Sequence, residues 1–150
     1  MPQDGKTSVL INLMAIASYD GMPDYPIQFM TKGTLHYSNP DSVVLTYRET
    51  QHDDESGETI ESDIILNIGE KQVTMERRGD FSNTIVFVPG HRFEGTYQTP
   101  YGELGMAVFP RKVDCRIGEK KGAIHLKYQL DIQGNLSSTN ELHLEYNAEA

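Results

Sequence analysis

Two charged residues, Glu49 and Arg77, stand where the alternation of a half-buried strand calls for apolar side chains. Val43, Leu45, Tyr47 and Glu49 share one parity, and so do Val73, Met75 and Arg77. A charge taken out of water alone is costly, so these two must either pair with each other or sit at a solvated rim. The chemistry they offer is recognition. The Arg77 guanidinium suits a carboxylate or phosphate, and Glu49, with Tyr47 and Tyr97, suits a donor group. The candidate ligand-binding residues are therefore Glu49, Arg77, Tyr47 and Tyr97. The simpler reading of the same residues is a structural ion pair that fixes register inside a filled barrel, and it takes precedence over a site.

No other group of residues completes a reactive set. His125 and His143 fall on outward faces of adjacent strands, opposite one another; two histidines can begin a zinc site. No cysteine or carboxylate at ligand spacing completes it, so no metal is expected. Asp53-Asp54-Glu55-Ser56-Gly57-Glu58 lacks the alternating carboxylates and distal Glu of a calcium loop and reads as a solvated turn. Cys115, the only cysteine, shares the inward parity of Val113 and Ile117 and has no histidine base beside it, which suits a buried inert thiol. There is no Gly-x-Ser-x-Gly elbow, phosphate-cradling glycine loop or His-Glu-x-x-His. No catalytic residue, enzyme activity or cofactor is expected.

The elements that must hold these side chains are strands. Periodicity predicts them at about Thr7 to Tyr19, Ile27 to Tyr37, Val43 to Gln51, Thr59 to Ile68, Val73 to Arg77 and Thr84 to Val88. The sixth is apolar on both faces, which leaves its register open. Phe93 to Thr99 and Leu104 to Val108 form a hairpin around Thr99-Pro100-Tyr101-Gly102, where proline at the second position and glycine at the fourth fit a type I turn. The second arm continues toward Ile117 past Pro110, which marks an edge or a break because it donates no ladder bond. Gly33, in mid-strand, predicts a bend or bulge.

The last hairpin is the most constrained. A three-residue loop, Gln133-Gly134-Asn135, sets Ile132 opposite Leu136, Leu126 opposite Leu142 and Ile124 opposite Leu144. A slip of one residue would turn every apolar side chain outward. The same register places Lys127 opposite Glu141 as an exposed pair. Other connections are predicted at Asp20-Gly21-Met22-Pro23-Asp24-Tyr25-Pro26, Ser38-Asn39-Pro40-Asp41 and Gly79-Asp80. Nine or ten strands with short turns and no helical periodicity argue for an all-β meander, closed as an antiparallel up-and-down barrel of 8 to 10 strands.

The chain has 150 residues, enough for one domain spanning 1–150 with its own core; 37% of them are hydrophobic and 23% charged. A net charge of −9 argues against a nucleic-acid partner. The basic residues Arg111, Lys112, Arg116, Lys120, Lys121 and Lys127 read as a solvated hairpin in preference to a docking patch. No run approaches the ~18 apolar residues of a membrane span. The apolar run from Val9 to Ala17 is interrupted by Asn12 and reads as a first strand, not a cleaved signal. A soluble, cytoplasmic protein is expected.

Four stretches carry a likeness. Tyr47-Arg48-Glu49, Arg77-Arg78-Gly79, Thr99-Pro100-Tyr101-Gly102-Glu103-Leu104 and Tyr128-Gln129-Leu130 occur in an order and spacing that resembles the YwiB-like bacterial β-barrel proteins, a family of unknown function. The resemblance spans essentially the whole chain. It implies a closed, calycin-like (lipocalin-type) barrel in the bacterial cytoplasm and supplies no activity or ligand. Tryptophan is absent, so the Gly-x-Trp signature of lipocalins and the stacking tryptophans of avidins are missing, as is the Arg-x-Tyr with which fatty-acid-binding proteins hold a carboxylate. Two functions are left. One is a non-enzymatic barrel holding a small amphipathic or anionic ligand; the other is a filled barrel acting through an outer face or as a homodimer.

Overall fold

A computed structural model of the chain describes residues 6–18, 25–39, 42–52, 57–79, 82–99, 102–133 and 136–149. Ten strands account for nearly all of them. They are β1 (Lys6–Ser18), β2 (Tyr25–Asn39), β3 (Ser42–His52), β4 (Thr59–Ile68), β5 (Val73–Gly79), β6 (Asn83–Phe87), β7 (Phe93–Thr99), β8 (Gly102–Arg116), β9 (Lys121–Ile132) and β10 (Leu136–Ala148). No helix among the described residues is long and apolar enough to cross a membrane.

The strands form one antiparallel sheet in the order β6-β5-β4-β3-β2-β1-β10-β9-β8-β7. Consecutive strands are neighbours except β6 and β7, which form the two edges, and the first and last strands, β1 and β10, pair from Val9 opposite Ala148 to Ser18 opposite Thr139. This is the up-and-down barrel expected from the short turns. Its two edge strands meet without a continuous ladder. Ser82 and Gln98 exchange backbone hydrogen bonds of 3.0 and 2.8 Å, and the β6–β7 turn is closed by His91 N–H to the Val88 carbonyl at 3.0 Å. The barrel is thus nearly closed, with a seam between β6 and β7.

Inside, one apolar cluster runs through all ten strands. Val9, Ile11, Leu35, Leu45, Phe87, Leu126 and Leu144 have no more than traces of accessible surface. Burying each such side chain contributes about 1.5–3 kcal/mol, which fixes strand parity throughout. The last hairpin adopts the register that keeps Leu126 opposite Leu142 and Ile124 opposite Leu144. The ambiguity of β6 resolves the same way: Ile85 and Phe87 are buried, while Thr84 faces solvent. At the end of the barrel carrying the β8–β9 turn, the fully buried Tyr146 hydroxyl accepts from Gly118 N–H at 3.0 Å and donates to the Gly118 carbonyl at 2.8 Å.

One detail departs from expectation, at Gly33, and one, at Pro110, chooses between alternatives. Gly33 makes no bulge: it pairs in register with Val9 and Tyr47, and the irregularity in β2 falls between Tyr37 and Asn39. Glycine is needed at position 33 because a Cβ there would lie 2.4 Å from the Thr46 carbonyl oxygen and 2.6 Å from Ile11 Cδ1. Pro110 does not break β8. Of the expected alternatives it takes the edge: it lies beyond the last β7 pairing, Phe93 with Val108, still opposite Tyr128 on β9, with a bulge between Pro110 and Lys112.

Gly102 has φ +132°, but Pro100 and Tyr101, which would define the turn type, lie outside the described residues. So do parts of the predicted connections at 19–24, 40–41, 53–56, 80–81 and 134–135.

Candidate functional site

The rows of the sheet explain how Glu49 and Arg77 meet. Tyr47 on β3, Ile64 on β4, Arg77 on β5 and Asn83 on β6 are successive cross-strand partners, and Glu49, Ser62 and Gly79 form the next row toward the barrel end. Apolar alternation turns Tyr47 and Glu49 inward and sends Arg48 out, where its Nε lies 3.3 Å from the Asp63 carboxylate on the outer face. On the inner face Arg77 Nη1 donates to Glu49 Oε1, forming an ion pair that spans β4. Ser62, small and 5% exposed, leaves room beneath it.

The two charged side chains are 21% (Arg77) and 16% (Glu49) exposed. That decides between the two options posed by their parity: the charges pair, and the pair is not sealed from water. Burial raises the Tyr47 phenol above its ordinary range; Glu49 adds to the shift and Arg77 opposes it. Tyr128 on β9 is raised by burial in the same way, again opposed by Arg77. Its ring meets Phe87 edge-on at 4.9 Å. Both phenols therefore stay protonated donors beside the ion pair.

Of the four residues singled out in sequence, Glu49, Arg77 and Tyr47 share one electrostatic neighbourhood on β3 and β5. Tyr97 faces inward on β7, opposite Leu104, and packs against the core on the other side of the seam. Two participants went unrecognised in the sequence, Tyr128 and Asn83. The Asn83 side-chain oxygen is buried and has no hydrogen-bond partner among the described residues. Asn83 lines a cleft of about 350 Å³ at the seam with Arg77, Arg78, Thr84, Thr96 and Gln98. The signal for it was parity with Ile85 and Phe87, hidden because the predicted strand began one residue later.

A second cluster corrects the expectation that His125 and His143 lack a carboxylate. They face each other across β9 and β10 with rings stacked at 3.9 Å, and Glu141 Oε2 lies 2.6 Å from His125 Nε2 and 2.7 Å from His143 Nε2. Glu141 is opposite Lys127 in register, as expected, but its carboxylate turns along its own strand to the imidazoles. Those hydrogen bonds, first from His125 and then from His143, hold the Glu141 carboxyl below the usual range, with Lys127 contributing as a neighbouring positive charge.

Cys115 is half-buried against the core. Burial, with a smaller contribution from Asp114, pushes its thiol up to about 11, in keeping with an unreactive cysteine. The basic residues of β8 and β9, from Arg111 to Lys127, are all exposed.

These features define a ten-stranded all-β barrel with an ion pair on its inner wall. Residues 11–144 match the family described as a domain of unknown function, DUF1934, and the chain belongs to that family. It is similar to the uncharacterized beta-barrel protein YwiB of Bacillus subtilis (strain 168), with 23% identity over 141 residues covering 94% of both chains. The crystal structure of the ywiB protein from Bacillus subtilis aligns with a TM-score of 0.81 at 21% identity, covering 97% of this chain and 94% of that one. The likeness extends to the fold.

Proposed function

We propose that the protein is a non-enzymatic binding barrel, calycin-like in use, that takes a small amphipathic ligand with an anionic head group. The observation that carries this reading is Arg77: an inward guanidinium, paired but 21% exposed, beside two protonated phenols and the unpartnered Asn83 oxygen. A carboxylate or phosphate competes with Glu49 for the guanidinium fork, and Tyr47 donates to the same head group. Tyr97 and the apolar inner wall receive the tail, while Glu49 and Asn83 accept from any donor on the ligand. Nothing in this set activates a nucleophile or shuttles a proton, so the role is to hold a ligand and not to transform it. Native mass spectrometry of protein purified without denaturation tests it. The expected result is a co-purifying small acid released on unfolding; bare protein alone, with no uptake of added medium-chain carboxylate, overturns it.

A second reading rests on a different observation. Met30, on the outer face of β2, is 59% exposed, an apolar side chain outside the barrel wall that suits contact with a second copy of the chain. Light scattering at high concentration separates this reading, which requires a dimer lost in Met30→Lys, from a strict monomer.

A further inference from the structure

We propose that His125, Glu141 and His143 form a binding site for a divalent transition metal, zinc first among them, on the outer face of β9 and β10. The three offer one ligand atom each, all within 4.8 Å of one another. Strand geometry builds the cluster. Glu141 and His143 are two apart on β10 and so share its outer face, and the hairpin register sets His125 directly across from His143. The apolar inner residues of the same strands, Leu126, Leu142 and Leu144, lock that register, so the site sits on a rigid platform.

Both imidazoles aim Nε2 at one carboxylate oxygen, at 2.6 and 2.7 Å. That convergence is what a small cation requires. Tetrahedral zinc holds nitrogen and carboxylate oxygen at about 2.0–2.2 Å, which separates neighbouring ligand atoms by roughly 3.3 Å. The carboxylate oxygen needs to draw back from each nitrogen by a fraction of an ångström while the ligand atoms, all within 4.8 Å of one another, close on the ion. Side-chain exposures of 21% for His125, 39% for His143 and 31% for Glu141 leave room to do so. A cleft of about 170 Å³ adjoins the two histidines on the side of Asp114, Arg116 and Glu145, and the exposure of the three ligands leaves the cluster open to water.

The donor set selects the metal. Two imidazoles and a carboxylate suit zinc, cobalt, nickel or copper in divalent form; calcium and magnesium demand shells of oxygen, and the absence of a thiolate disfavours softer ions. Three protein ligands with a remaining position open to water match an accessible site better than a closed structural one.

Titration of the chelator-treated protein with Co²⁺ followed by Zn²⁺ tests the assignment. A single saturable equivalent of Co²⁺ is expected to give visible d–d absorption that Zn²⁺ abolishes. His125→Ala and His143→Ala are expected each to weaken binding at least about a hundredfold, given that loss of mere outer-shell support already costs 10–100-fold. The strand circular-dichroism signal should be unchanged, because the substitutions lie on the outer face. The wild-type protein gives an independent readout by NMR, in which Zn²⁺ shifts the ring signals of His125 and His143 and leaves those of His36 and His91 in place. Saturable binding that survives the double histidine variant, or the absence of any saturable equivalent in the wild type, overturns the proposal.

Discussion

Arg77 reaches Glu49 across the full width of β4, so the ion pair joins two strands that are not neighbours in the sheet. Ser62 and Gly79, the small residues in the row beneath, leave the space over which the guanidinium extends. The pair therefore ties β3 to β5 and at the same time leaves a cation on the inner wall near one barrel end.

Breaking that pair from one side leaves an uncompensated charge on the inner wall. Arg77→Met is expected to lose about 2–4 kcal/mol in urea denaturation, somewhat below the range for fully sealed pairs because Glu49 retains some water. The double variant Glu49→Leu, Arg77→Met should lose clearly less than the single one. Equal losses in the single and double variants would show that the two residues do not act as a pair.

Alkaline stability follows from three phenols. Tyr47, Tyr128 and Tyr146 are all raised by burial above the ordinary value of 10.0. Above pH 10 the unfolded chain gives up these protons and the folded chain keeps them, so the unfolded state binds fewer protons and stability falls as pH rises. Their contribution is complete below pH 10 and decreases beyond it. In a spectrophotometric titration these three of the eight tyrosines should ionise only with unfolding. Smooth ionisation of all eight near pH 10 in the folded protein would contradict their burial.

The Cys115 thiol, at about 11, is almost wholly protonated at pH 8. Its alkylation by iodoacetamide should run roughly a hundredfold slower than that of a free thiol and reach the free-thiol rate once the protein is unfolded in urea. A rate in the folded protein equal to that of a model peptide would contradict the packing of Cys115 against the core.

Gly33→Ala places a methyl group against the Thr46 carbonyl, a backbone atom with no rotamer to escape into. A loss of about 1–3 kcal/mol is expected, as for overpacking. A melting temperature equal to wild type would show that β2 and β3 separate more easily than their pairing implies.

Sequence alone gave away what alternation controls. The β9–β10 register was readable because β9 carries Ile124, Leu126, Tyr128, Leu130 and Ile132 on one parity and polar residues on the other, and Glu49 and Arg77 stood out because charge on an apolar parity is rare. What alternation does not encode stayed hidden. Glu141 was visible as the partner of Lys127, but backbone register does not set side-chain rotamers, and its carboxylate turned to the histidines instead. The seam was equally invisible, since whether β6 and β7 ladder together depends on how the other eight strands coil. Asn83 was lost to a strand boundary misplaced by one residue.

The most direct test of the binding reading is an NMR titration of the ¹⁵N-labelled protein with decanoate, a carboxylate with an apolar tail, watching the Arg77 side-chain Nε–H signal. The account predicts saturable shifts of that signal together with the amides of Tyr47, Tyr97 and Tyr128, and no comparable change for Arg48 or Arg78, which project outward. An Arg77 signal that stays fixed while decanoate is raised to saturation, or shifts confined to outward-facing residues, would contradict it.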